Sequence, residues 1–200
     1  MATRVLTFLA LLALSACGGS NQTAGESPSP TAPAQLTPSA STSANLDPCQ
    51  LVTQQEASQL AGATYAAGKK EVLSSASSTC TYGAQTLNVF MVEVAVAADA
   101  KTALADWAQE EAKAKAGVQQ LVAEAGGSVS LNAGEITLPG ADKAATAIAT
   151  ANISGQTVNI SAIYVLKGAV FFMFADLVAN KQAPTTSAMA AQAQTVLTRV

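Results

Sequence analysis

Few residues in this chain of 200 could do chemistry. There are three cysteines and no histidine. Without histidine, neither a Ser-His-Asp nor a Cys-His arrangement for nucleophilic catalysis can form. The Gly-x-Ser-x-Gly elbow, the phosphate-binding P-loop and the Gly-x-Gly-x-x-Gly turn are also absent from the sequence. The sequence therefore predicts that the protein is not an enzyme and that it uses no cofactor.

Two carboxylates stand in apolar stretches where a charged group is unexpected. Glu93 lies inside a run of β-branched residues, and Asp176 lies beside Phe174. A charged side chain among apolar neighbours is paired, faces a sheet edge or serves a function. We favour the first two interpretations. The remaining candidate carboxylates fit the solvated face of a predicted helix: Asp99, Asp106, Glu110, Glu111 and Glu124.

The first cysteine, Cys17, follows a predicted signal peptide over residues 1–16. Arg4 supplies a positive start, and Val5 to Leu14 form an apolar run. Ten helical residues span roughly 15 Å, about half of a bilayer core, which is too short for a membrane-spanning helix. The sequence Leu14-Ser15-Ala16-Cys17 resembles the lipobox of bacterial lipoproteins, in which diacylglycerol alkylates the cysteine sulfur and the chain is cut before it. We therefore expect lipidation of Cys17 and anchorage on the extracytoplasmic face of the cell membrane.

The other two cysteines, Cys49 and Cys80, are predicted to form one disulfide. Two cysteines in an exported chain most often pair with each other. The alternative is a metal site. It is disfavoured because, without histidine, its further ligands would have to be carboxylates.

Composition divides the rest of the chain into a tether and one domain. Residues 17–46 combine the lipidated cysteine with a segment rich in Ser, Thr, Pro and Ala, which cannot bury enough apolar surface to fold. Residues 47–200 form a single predicted domain. The formal net charge is −3, and it becomes more negative when Arg4 leaves with the signal peptide. This balance argues against a nucleic-acid partner, which would require a basic face.

Three helices are predicted in the domain. Thr53 to Glu56 form a capping box that starts the first helix, and Gly62 is placed to end it. A long central helix is predicted over residues 99–125. A C-terminal helix is predicted from Pro184. The apolar stripe of the central helix comprises Leu104, Trp107, Val118, Leu121, Val122 and Ala125, and that of the C-terminal helix comprises Met189, Ala193, Val196, Leu197 and Val200.

The remaining segments have the composition and alternation of strands. They are Thr86 to Ala97, Val129 to Leu131, Ile136 to Leu138, Ala144 to Ile153, Gln156 to Leu166 and Ala169 to Val178, with a β-like stretch around Cys80 to Tyr82. A hairpin is predicted about Ser154-Gly155. Segregated strands and helices favour an α+β fold. The prediction is a two-layer sandwich of an antiparallel sheet packed against the long central helix and the C-terminal helix.

Three motifs resemble a family of cysteine-containing actinobacterial lipoprotein domains of unknown function. They are Asp47-Pro48-Cys49-Gln50-Leu51-Val52-Thr53 with Glu56, Ala57 and Leu60-Ala61-Gly62; Cys80-Thr81-Tyr82; and Leu138-Pro139-Gly140-Ala141-Asp142-Lys143-Ala144. Ala141 stands where that family usually has a second glycine. Related-looking domains serve as extracellular sensors of actinobacterial Ser/Thr kinases. The resemblance implies a fold and an extracytoplasmic location, and it indicates no catalytic residue.

Two functions other than catalysis remain open. The first is a binding or sensor module that holds a small ligand, a lipid or a cell-wall fragment. The second is an accessory protein that docks onto another envelope protein and has no ligand pocket. A cavity in the structure would favour the first, and an exposed apolar patch on a sheet face would favour the second. The binding module is the preferred hypothesis.

Overall fold

The fold is built around one antiparallel sheet. A computed structural model describes residues 46–83, 88–109, 112, 116, 129–153 and 155–200. The described helices are α1 (Pro48–Leu51), α2 (Gln54–Ala61), α3 (residues 100–109) and α4 (Thr186–Leu197). The strands are β1 (Lys69–Ser74), β2 (Ser77–Tyr82), β3 (Val89–Val96), β4 (Val129–Glu135), β5 (Lys143–Ile153), β6 (Gln156–Lys167) and β7 (Val170–Ala179).

The seven strands lie in the order β1-β2-β3-β7-β6-β5-β4, and every neighbouring pair is antiparallel. β5, β6 and β7 follow one another in the chain and in the sheet. β3 pairs with β7 over its whole length, from Val89 opposite Leu177 to Val96 opposite Val170. This pairing joins the two halves of the chain into one sheet.

The two faces of the sheet carry separate apolar clusters, because successive side chains on a strand point to opposite sides. On the first face, α1, α2 and α4 pack against a core that includes Phe90, Val92, Ile163, Phe172 and Phe174. On the second face, Trp107 and Ala103 of α3 pack against Ala145 and Leu166. Helices therefore cover both faces.

Both ends of α2 form where the local sequence predicts them, whereas α4 begins at Thr186, two residues after the predicted start at Pro184. Thr53 Oγ1 accepts a hydrogen bond from Glu56 N, and the Glu56 carboxylate accepts one from Thr53 N at 2.8 Å. Gly62 ends α2 in the left-handed conformation at φ +59°. The predicted buried stripe of α4 is also confirmed for Met189, Ala193, Val196 and Leu197, while Val200 is partly buried.

A disulfide fastens the start of the domain to the sheet. Cys49, in α1, is bonded to Cys80, in β2, which is the predicted pairing. The Tyr82 hydroxyl adds a hydrogen bond to the carbonyl of Val52. At the other end of the chain, Arg199 forms an ion pair with Glu56, so the C-terminal end of the domain is held to α2.

The predicted two-layer sandwich with a long central helix is wrong. The structure is mostly a seven-stranded antiparallel sheet, and its described helices are short. Leu104, expected in the core, is 51% exposed. Ala103 and Trp107, four residues apart, form the buried side of α3 instead, and Leu104 lies one residue off that side. Val118, Leu121, Val122, Ala125 and the carboxylates Glu110, Glu111 and Glu124 lie outside the described residues.

Three strand predictions also differ from the structure. β4 continues from Val129 through Gly134 to Glu135, whereas Ile136 to Leu138 are not in a strand. β1, rich in charged and exposed residues, was not predicted. The other predicted strands and the hairpin between β5 and β6 are confirmed where the structure describes them, and Thr86 and Ser154 lie outside the described residues. Within the described part of the chain, the helices are too short or too polar to span a bilayer.

Gly68 is expected to tolerate no side chain. A Cβ placed there would overlap Cys80 Sγ and would lie 2.6 Å from Tyr82 Cε1. Both neighbours are buried and fixed, one of them by the disulfide. Gly68→Ala should therefore lower the free energy of unfolding by about 1–3 kcal/mol, the usual range for overpacking a core. Urea unfolding measures this loss.

Gly134→Ala is the matched control. A Cβ at Gly134 would meet no heavy atom within 4 Å. We expect a change within about 0.5 kcal/mol, as for most surface substitutions. Equal losses in the two variants would show that the contact at Gly68 is not the cause.

Candidate ligand groove and buried carboxylate

A groove of about 1260 Å³ opens on the first face of the sheet. The strands β5 and β6 form its floor, and the segment that leads from β7 into α4 forms its wall. Its lining residues are mostly small, hydroxylated or apolar: Ile136, Thr137, Ile148, Thr150, Thr157, Asn159, Asn180, Lys181, Gln182, Ala183, Pro184, Thr185, Thr186, Ser187 and Ala190.

Strand register places the floor residues side by side. Thr150 lies opposite Asn159 on the neighbouring strand, and Ile148 lies opposite Ser161. The Thr150 hydroxyl donates a hydrogen bond to Asn159 Oδ1 at 2.8 Å. The Asn159 amide in turn donates to the carbonyl of Lys181 at 2.6 Å. Asn159 therefore ties the floor of the groove to its wall.

The wall is a short connection held at both ends. Asn180 turns the chain in the left-handed region at φ +54°, and its N–H donates to the carbonyl of Thr157 at 2.7 Å. Thr185 caps α4 by accepting a hydrogen bond from Ala188 N. The segment between Asn180 and Thr185 has no regular secondary structure. These contacts fix the position of the wall beside the first turn of α4.

The groove offers apolar contact and hydrogen bonding with little charge. Ile136, Ile148, Pro184 and Ala190 supply apolar surface, and Lys181 is the single charged side chain among the described lining residues. Most of the other lining residues are polar but uncharged, so the groove combines apolar surface with many hydrogen-bonding groups. Small-molecule sites likewise pair apolar surface with polar groups that orient the ligand. No three Cys, Asp or Glu side chains in the described parts of the chain come together as a metal site would need.

Asp176 is buried on the same face of the sheet as the groove floor. Its side chain is 0% exposed, and Oδ1 accepts a hydrogen bond from the Tyr65 hydroxyl at 3.1 Å. Burial raises the pKa of Asp176 to about 6, although the Tyr65 hydrogen bond acts in the opposite direction. The same contact and burial raise the pKa of Tyr65. The sequence left open whether Asp176 is paired, faces a sheet edge or serves a function. In the structure it is buried, and one of its oxygens is paired with the Tyr65 hydroxyl.

Asp176→Asn is expected to stabilise the protein at neutral and alkaline pH. The folded-state pKa of Asp176 lies above its ordinary value of 3.8, so the protonated form favours folding. Stability from this group is fully present below about pH 4 and is lost as pH rises through 6. At pH 8, the asparagine variant should gain about 1–3 kcal/mol, because a shift of one pKa unit corresponds to roughly 1.4 kcal/mol. Urea unfolding from pH 4 to pH 8 measures the gain.

Glu56 provides an internal reference for this experiment, because its pKa moves in the opposite direction. The hydrogen bond from Arg199 holds the pKa of Glu56 at about 2. Its contribution is present above about pH 4.5 and is lost as pH falls towards 2. The Asp176→Asn variant should still lose stability below pH 4.5, as Glu56 becomes protonated. It should not show the loss of stability between pH 4 and pH 6 that Asp176 causes in the parent. A variant with the parent's full pH profile would contradict the assignment.

Glu93 lies on the second face of the sheet, away from the groove. It is 8% exposed and lies opposite Thr79 on one neighbouring strand and Met173 on the other. Burial, followed by the charge of Glu93, raises the pKa of Tyr164 to about 12. The sheet therefore separates the two carboxylates that the sequence singles out.

The structure places the predicted site residues as follows. Cys49 and Cys80 are joined, whereas Cys17 lies outside the described residues. The groove was not predicted, since its floor and wall come from segments that are distant in sequence. The pairing of Tyr65 with Asp176 could not be predicted from local sequence either, because the two residues are 111 positions apart in the chain.

Comparisons with known proteins identify a family and no characterised relative. The profile of the family described as Protein of unknown function (DUF3558) matches residues 12–155. That range includes Cys17, the disulfide and the strands β1 to β5, and it ends before β6, β7 and α4. A search of curated proteins found no match. The match covers more than half of the chain, and the protein therefore belongs to the DUF3558 family of proteins of unknown function.

Proposed function

We propose that this protein is a lipoprotein anchored through Cys17 to the extracytoplasmic face of the cell membrane, and that its domain binds a small ligand without acting on it chemically. The groove between β5, β6 and the start of α4 is the observation that carries the binding part of this proposal. Its volume of about 1260 Å³ is sufficient for a small molecule or part of a lipid.

The anchor is supported by the sequence around Cys17 and by the cysteine chemistry of the domain. A short apolar leader and the Leu14-Ser15-Ala16-Cys17 motif precede a segment whose composition, rich in Ser, Thr, Pro and Ala, is typical of a tether. Disulfides persist mainly in exported proteins, so the bond between Cys49 and Cys80 agrees with an extracytoplasmic domain. A lipidated chain with this tether would hold the groove away from the membrane surface.

The lining of the groove supports a ligand with an apolar body and few charges. Ile136 and Ile148 offer apolar surface on the floor, and threonine hydroxyls surround it. The alternative function, docking onto an envelope protein, would favour an exposed apolar patch. Among the described residues, the largely exposed bulky apolar side chains are Val72 and Leu104, which lie on different elements. The groove therefore makes ligand binding the better-supported proposal.

The anchor is tested by Cys17→Ala. The variant cannot be alkylated, so it should leave the membrane fraction or fail to mature, because membrane attachment depends on the acyl chains. Detergent-phase partitioning of parent and variant measures the difference. A Cys17→Ala protein that stays wholly membrane-bound would contradict the proposal.

Ligand binding is tested with the fluorescent hydrocarbon diphenylhexatriene and two tryptophan variants. Thr157 is exposed and lines the groove, so Thr157→Trp should place an indole ring across part of it and obstruct a ligand. Thr195 is exposed on α4 and is outside the lining, so Thr195→Trp is the matched control. We expect saturable binding by the parent and the control, and at least a tenfold weaker affinity for Thr157→Trp. If all three proteins bind the probe with equal affinity, the probe does not bind in the groove.

A further inference from the structure

Two buried polar atoms near the groove have no hydrogen-bond partner among the described residues. They are Ser161 Oγ and Asp176 Oδ2, in side chains that are 1% and 0% exposed. Ser161 and Asp176 lie directly opposite each other on β6 and β7. Facing residues in an antiparallel sheet point to the same side. The two unpartnered atoms therefore belong to one small polar cluster.

Such a cluster is unusual in the interior of a protein. A buried polar atom without a partner costs roughly 1–3 kcal/mol, and more if it is charged. Most buried polar groups in native proteins are hydrogen-bonded, so an exception calls for an explanation. Tyr65 satisfies only Oδ1 of Asp176. The second carboxylate oxygen and the serine hydroxyl have the chemistry of a binding site for a hydrogen-bond donor.

The cluster lies close to the inner end of the groove. Ile148, on the groove floor, is the cross-strand neighbour of Ser161. Adjacent strands are roughly 5 Å apart, so the backbone of Asp176 lies about 10 Å from that of Ile148. Ala190 both lines the groove and packs against the core on this face. The segment between Asn180 and Thr185, which has no regular structure, borders the same space.

We propose that the ligand of the groove carries a primary amine on an apolar stem, and that the amine reaches Asp176 Oδ2 and Ser161 Oγ. This inference rests on the proposed function and names the ligand's chemical class. An ammonium group has three donors, which could serve the carboxylate and the hydroxyl together. The apolar stem would lie along the floor beside Ile148. Neither acceptor lines the groove. Binding therefore requires the wall to move away from the floor, which breaks the hydrogen bond from the Asn159 amide to the carbonyl of Lys181.

The proposal predicts a specific dependence on the head group of the ligand. Octylamine and octanoate share the same alkyl chain and differ in the charge of the head group. They are titrated into the full-length Cys17→Ala protein, which needs no detergent, and NMR follows the Asp176 carboxyl carbon. Octylamine should shift that resonance saturably and lower the pKa of Asp176, because a nearby cation favours the ionised form. Octanoate should leave the resonance unchanged.

Variants separate this inference from the proposed function. Asp176→Asn should weaken octylamine binding at least tenfold at pH 8 and leave the binding of diphenylhexatriene, which has no amine, intact. Ser161→Ala should weaken octylamine binding by less. If octylamine binds equally well to Asp176→Asn, or shifts only resonances at the groove mouth, the proposed amine site is wrong. The proposal that the groove binds a ligand would be unaffected by that result. Failure of both octylamine and diphenylhexatriene to bind would contradict both proposals.

Discussion

Trp107→Ala should lower the free energy of unfolding by about 3–5 kcal/mol, the usual range for truncating a large buried aromatic residue. Trp107 is 6% exposed, and its ring meets that of Phe171 edge-on with centroids 6.2 Å apart. It also packs against Ala145 and Leu166, so it fixes α3 to the second face of the sheet. Truncation removes most of the large side chain between α3 and the sheet. Urea unfolding without added ligand measures the loss.

Leu104→Ala is the control for this experiment, because Leu104 lies on the same helix and is 51% exposed. We expect a loss below about 0.5 kcal/mol, as for most surface substitutions. The two variants distinguish a packed helix from one that presents Trp107 to a ligand. A Trp107→Ala protein as stable as the parent would show that this side chain does not belong to the core.

Removing the disulfide should have the second largest effect on stability. The bond closes a loop between residues separated by 31 positions. Opening a loop of that size increases the entropy of the unfolded chain and should cost about 3 kcal/mol. The double variant Cys49→Ala/Cys80→Ala avoids unpaired thiols. Its unfolding free energy, compared with that of the oxidised parent, measures the loss.

Thiol labelling accompanies this experiment. The oxidised parent, exported by its own host, should label at neither Cys49 nor Cys80 in denaturant without reductant. Reduction before unfolding should reproduce most of the destabilisation seen in the double variant. Labelling of both cysteines in the exported protein, or a double variant within about 0.5 kcal/mol of the parent, would show that the bond does not stabilise the domain.

Elements with strong local signals could be predicted from the sequence. The capping box at Thr53 and Glu56 and the terminal Gly62 set the bounds of α2 within a few residues. Alternating residues in β6 and the turn at Gly155 predicted the hairpin with β5, whose pairing is confirmed. These features depend on residues close together in the chain, and for this reason single-sequence patterns identify them.

Features that depend on distant contacts were missed or misplaced. β1 has charged residues on an exposed edge, so it lacks the apolar alternation of a buried strand. In α3, Ala103 contributes to the buried side while Leu104 does not, so the prediction from the spacing of apolar residues placed Leu104 in the core wrongly. Asp176 was singled out as a charge among apolar residues, but its partner Tyr65 and its neighbour Ser161 come from separate segments.

The same argument applies to the groove, whose floor and wall become neighbours only when the sheet forms. Thr157 and Asn159 lie on β6, while Lys181 belongs to the connection before α4. Polar residues in these positions look like ordinary surface residues in the sequence. Their shared role is visible only through the hydrogen bonds from Asn159 and Asn180 that hold the wall in place.

Native mass spectrometry of the protein purified from its own host membranes tests the central claim most directly. If the groove binds a small ligand, the parent and Thr195→Trp proteins should carry an additional mass that denaturation removes. The Thr157→Trp protein should lack that mass, because the new side chain obstructs the groove. Detection of the covalent mass alone in every preparation, or equal retention of the additional mass by Thr157→Trp, would contradict the account.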